Sequence, residues 1–127
     1  MSEEDFGEAL RCFKKAFRLI PEPKDDFEES TIAVTAIGDC FLASGDIEAA
    51  EQAFRDVLLL PGAPANPYIR LRRGEIYRHL GDLKKARMEL TTAYMNGGED
   101  VLKESSDPEI QRLLREVIDE LSSLKGR

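Results

Sequence analysis

The chain has 127 residues and a formal net charge of −7, enough length for one continuous core but not for two independent ones. This acidic balance has the wrong sign for nonspecific nucleic-acid binding, and no apolar run approaches the roughly 20 residues that cross a bilayer. The start, Met1 to Asp5, is acidic and lacks the charged-then-apolar pattern of a secretory signal, so the expectation is a cytoplasmic chain.

Ser2 is suited to cap a first helix, with Asp5 three residues on. Phe6, Leu10, Phe13, Phe17 and Ile20 recur at helical spacing, and Pro21 and Pro23 stop the run. The next helix is expected from Asp25 or Asp26 to Ser44, opening on an acidic first turn. A third helix runs from Ile47 to about Leu60. The stretch from Pro61 to Pro67 holds three prolines and a glycine and cannot be helical. Asn66 and Pro67 then read as cap and first position of a helix near 67–80. Another follows near 83–96, ended by Gly97 and Gly98. Residues 99–104 read as one short turn. Asp107, Pro108 and Glu109 read as cap, first position and acidic first turn of the last helix. Its stripe is Ile110, Leu113, Leu114, Val117, Ile118, Leu121 and Leu124.

An internal repeat runs through the middle of the chain. Gly38, Phe41, Gly45, Asp46, Ala50, Phe54 and Val57 recur 36 residues later as Gly74, Tyr77, Gly81, Asp82, Ala86, Leu90 and Ala93. The chemistry of each position is coherent. Gly38 and Gly74 let paired helices approach, Gly45 and Gly81 can take positive φ to end a helix, and Asp46 and Asp82 can cap the next. This spacing resembles the tetratricopeptide repeat, a helix–turn–helix unit of about 34 residues. The resemblance implies an all-α, tetratricopeptide-type helical-hairpin solenoid with about six main helices and a C-terminal capping helix. The expected layout is a single domain over 1–127. It comprises a half repeat (1–21), two repeats (25–61 and 67–97) and a cap (108–124).

Catalytic signatures are missing from the sequence. There is no Gly-rich phosphate loop, nucleophile elbow or metal-ligand run. Cys12 and Cys40 form no CxxC pair, and one histidine, His79, cannot complete a zinc site. No enzyme activity, cofactor or metal is therefore expected. The resemblance instead implies a partner-binding groove lined by the first helix of each hairpin. Carried over, its residues are Ile32, Thr35, Asp39, Leu42 and Ala43, then Tyr68, Leu71, Glu75, Arg78 and His79; Arg72 on the same helix is counted with the groove. Well-known grooves of this family hold a peptide carboxylate with Lys, Asn and Arg. Here Thr35 and Leu71 take the Lys place and Asp39 and Glu75 the Asn place, a departure from that clamp.

Charge is segregated along the chain. Residues 22–66 carry ten acidic and two basic side chains; residues 67–87 carry seven basic and two acidic. A narrower resemblance rests on Leu19-Ile20-Pro21-Glu22-Pro23-Lys24 and on Asn66-Pro67-Tyr68-Ile69-Arg70-Leu71-Arg72-Arg73-Gly74. Both are similar to segments of small bacterial tetratricopeptide proteins, some of which stand beside polymorphic toxins and are read as immunity proteins. Arg70 and Arg73 depart from that pattern. The expected function is a non-enzymatic scaffold for another protein or peptide, a basic one being compatible with the acidity. The alternatives are toxin neutralisation and self-assembly as a homodimer through the N-terminal helix.

Overall fold

The computed structural model describes residues 3–125, so the cap expected at Ser2 lies outside the described residues. Among them are six α-helices: α1 (Glu3–Leu19), α2 (Glu28–Ser44), α3 (Ile47–Asp56), α4 (Pro67–His79), α5 (Leu83–Gly97) and α6 (Pro108–Lys125). No strand occurs among the described residues. The all-α class and the helix count agree with the sequence. The contacts divide the chain into two compact units, Met1–Pro64 and Ala65–Arg127.

In the first unit α1 packs on α2, and α2 on α3. Past the end of α1, Lys24 turns back so that its Nζ donates to the Ile20 carbonyl and lies 5.1 Å from the Phe17 ring centroid. A cation at a helix C-terminus satisfies an orphan carbonyl and suits the dipole. The helix expected from Asp25 or Asp26 starts later, at Glu28. Asp25 and Asp26 belong to a separate 3-10 turn, and Phe27 is extended at φ −119° and ψ 130°. That extended residue interrupts the helical ladder. Ser30, fully buried, ties the pieces together by donating from Oγ to the Lys24 carbonyl at 2.6 Å. Thr31 Oγ1 likewise donates to the Pro61 carbonyl at 2.7 Å, fixing the chain beyond α3 against the start of α2. α3 is also shorter than expected. It ends at Asp56 and tightens into a 3-10 turn, Val57–Leu59. Leu60 must be extended because Pro61 follows it.

In the second unit α4 and α5 form a hairpin, and α6 packs on α5. Leu71, Leu90, Ala93, Val101, Ile110, Leu113 and Leu114 make its core. Residues 98–103 form a 3-10 segment rather than one turn, and Val101 within it is buried. This segment carries the chain back toward the start of α5. Arg78 accordingly meets Asp107 just before α6, while Arg87 reaches Glu116 and Glu120. α6 therefore runs alongside α5 in the same direction. Ile110, Leu113, Leu114 and Val117 are buried, each worth about 1.5–3 kcal/mol when fully buried, so the first half of α6 is firmly anchored. Its last turn is open, with Leu124 60% exposed.

Both hairpins turn by the same hydrogen bonds. Gly45 N–H donates to the Leu42 carbonyl and Asp46 N–H to that of Phe41; Gly81 donates to Arg78 and Asp82 to Tyr77. This is the Schellman pattern, which needs a left-handed residue at the glycine; φ is +85° at Gly45 and +80° at Gly81. Asp46 then caps α3 by accepting from Ala49 N–H, and Asp82 caps α5 by accepting from Lys85 N–H.

Candidate functional site

The face of α4 follows from how the helix begins. Asn66 Oδ1 accepts from the N–H groups of Tyr68 and Ile69 at 2.9 and 3.2 Å, and Pro67 occupies the first helical position. With that start fixed, Ile69, Leu71, Arg73, Gly74 and Ile76 turn inward and are buried. Tyr68, Arg72, Glu75, Arg78 and His79 remain partly or fully exposed. Tyr68, Arg72, Glu75 and His79 lie at spacings of four, three and four, which places them on one stripe.

The charges on this stripe are already engaged. The Arg72 guanidinium stacks 4.7 Å from the Tyr68 ring centroid and donates to both Glu75 oxygens at 2.8 Å. Burial works against its charge, but the Glu75 carboxylate and Tyr68 outweigh that, so its proton is held more tightly than usual. Arg78 pairs with Asp107 at 2.6 Å, and one of its nitrogens lies 3.3 Å from His79 Nε2. Deeper in the unit, Glu89 accepts from Arg70 at 3.0 Å and lies 3.1 Å from Arg73 Nε. Arg87 meets Glu116 and Glu120 at 2.8 and 2.6 Å.

Five of the seven basic residues between 67 and 87 are thus paired with carboxylates of their own unit. The basic stretch seen in the sequence is not a bare cationic surface. The second unit carries eleven acidic and twelve basic residues, net +1, and the first carries fourteen and six, net −8. The excess negative charge of the chain resides in the first unit.

The expected site residues separate into three groups. Tyr68, Arg72, Glu75, Arg78 and His79 come together on α4. Leu71 does not join them: it is fully buried and packs in the core with Leu90 and Leu114. Its apolar side chain lies where α4 turns toward α5 and α6, so it is removed from the surface set. Thr35, Asp39 and Leu42 lie on α2 and are half-buried, with Ile32 on the same helix 69% exposed. Burial, with Asp39 beside it, raises the pKa of the neighbouring Cys40 thiol and so disfavours the reactive thiolate.

Sequence reasoning missed Glu89 and Asp107 as the anchors of the α4 arginines. It also missed a cleft of about 430 Å³ lined by Tyr94, Met95, Gly98, Leu121 and Leu124. Among the described residues, no helix is long and apolar enough to cross a membrane.

Residues 35–94 match the family model described as tetratricopeptide repeat. No match was found among the curated proteins or the solved structures. Repeats of this family generally mediate protein–protein interaction and typically serve as non-enzymatic scaffolds. The match begins at Thr35 and ends at Tyr94, and so takes in both Gly-Asp hairpin turns and the whole α4 face. The match to the tetratricopeptide repeat thus covers residues 35–94, just under half of the chain.

Proposed function

We propose that this chain is a non-enzymatic protein-binding module that engages a protein or peptide through the first helix of each hairpin. On α4 the contacting residues are Tyr68, Arg72, Glu75, Arg78 and His79. On α2 they are Thr35, Asp39 and Leu42. The observation that carries this reading is the α4 stripe itself. The Arg72 guanidinium stacks on the Tyr68 ring and is paired with the Glu75 carboxylate, and Arg78, paired with Asp107, lies beside the exposed His79 imidazole. Preorganised, partly exposed Tyr and Arg are the side chains that dominate protein interfaces, because little entropy is lost when they are covered.

The partner is expected to present both polar signs rather than a lone carboxylate. Arg72 and Arg78 already hold Glu75 and Asp107, so a free anion would have to compete with them. A partner with a basic region is favoured on the first unit by its net charge of −8, which also speeds encounter. Toxin neutralisation is a narrower form of the same reading, resting only on the segments around Pro21 and Asn66.

Affinity capture on the immobilised full chain tests the reading. The comparison is a variant carrying Tyr68→Ala, Glu75→Ala and His79→Ala, with thermal melting to confirm that it folds. A protein retained by the wild-type chain should be lost by the variant. Equal retention by both would show that α4 is not the contact surface.

A further inference from the structure

The first unit holds a second surface, on α1. Among residues 5–19 of this helix none is buried. One side is directed at α2: Phe6, Gly7 and Leu10 line a shallow cleft with Cys40 and Phe41, and Lys14 Nζ lies 5.8 Å from the Phe41 ring centroid. A different flank carries Ala9, Cys12, Phe13, Ala16 and Leu19, at spacings of three and four that place them together on the helix. Cys12 and Ala16 are exposed, Phe13 is 37% exposed and Leu19 is 76% exposed.

We propose that this flank pairs with the same flank of a second copy of the chain, the two α1 helices running antiparallel across a two-fold axis. The charge along α1 selects that occupant and that direction. Asp5 and Glu8 lie in its N-terminal half, and Arg11, Lys14, Lys15 and Arg18 lie in its C-terminal half. A parallel pair would set like charges together. An antiparallel pair centred between Arg11 and Cys12 sets Glu8 opposite Lys15 of the second copy, twice by symmetry. The apolar flank supplies the attraction, while the exposed charges set direction and register. The inference is independent of partner binding by α4.

Sedimentation equilibrium of the full chain, from micromolar to millimolar, tests it. The wild-type chain should form a dimer. Lys15→Glu sets two acidic groups together at each contact and should raise the dissociation constant about tenfold. Combining Glu8→Lys with Lys15→Glu should restore it, and Phe13→Asp should give a monomer. Circular dichroism confirms folding, and the exchanged pair keeps the test valid should Phe13→Asp unfold. A wild-type chain that stays monomeric, a dimer indifferent to Lys15→Glu, or a failure of the exchanged pair to restore it would each overturn the proposal.

Discussion

Gly74 lies directly beneath Leu90: a Cβ built on Gly74 would stand 2.7 Å from Leu90 Cδ2, inside any permitted contact. Leu90 is fully buried, so it has little room to withdraw. The first hairpin repeats the relationship, with a Cβ on Gly38 reaching 2.5 Å from Phe54 Cε2. Close helix approach in each hairpin thus depends on one missing side chain. Gly74→Ala should lower stability by about 1–3 kcal/mol through overpacking, despite the better helix propensity of alanine. Denaturant unfolding measures this. In combination with Leu90→Ala the loss should fall short of the sum of the single losses, because the smaller residue vacates the space that the methyl needs.

Glu89 is shared by Arg70 and Arg73, and its side chain is 13% exposed. Removing one member of a buried charge cluster costs more than an exposed pair is worth, because the desolvated partners remain. Glu89→Gln should therefore destabilise the chain by about 3 kcal/mol, with the value read from the shift in urea midpoint. Glu51→Gln, which breaks a pair whose arginine is 62% exposed, should cost under about 1 kcal/mol.

Asn66 fixes the start of α4 through two accepted hydrogen bonds. Asn66→Ala should cost about 1 kcal/mol, and Asn66→Asp should recover most of it. Thermal melting of the two variants provides the comparison. Recovery by the carboxylate would separate loss of the cap from loss of packing.

The hairpins are legible in the sequence because each turn is local chemistry. Gly45-Asp46 and Gly81-Asp82 carry the left-handed residue and the cap within two positions. The arginine partners are not legible in that way. Glu89 is 19 residues from Arg70, and Glu116 is 29 from Arg87; a charge count over 67–87 stops short of both. The direction of α6 is equally hidden, since its apolar stripe reads the same whichever way it lies on α5. Only the buried return through Val101 sets that course. Leu71 illustrates the limit of carrying a repeat position over to a surface. The same position is Thr35 on α2 and half-buried, but on α4 its aliphatic chain joins the core.

The Glu109 carboxyl, hydrogen-bonded to Arg112, titrates below its ordinary range. A folded pKa below the unfolded one stabilises above the unfolded value, and that contribution disappears as pH falls through the folded value. An NMR titration of the side-chain carboxyl should place its midpoint below that of a model glutamate. Arg112→Ala should move it upward, and stability should fall less on acidification in this variant than in the wild type.

Binding through the first helix of the second hairpin is tested most directly by amide hydrogen exchange on the complex with whatever protein the chain captures. Added protection is expected over residues 67–79, and it should disappear when Tyr68, Glu75 and His79 are replaced by alanine. Protection confined to residues 108–125, with 67–79 unchanged, would contradict the assignment and move the interface to α6.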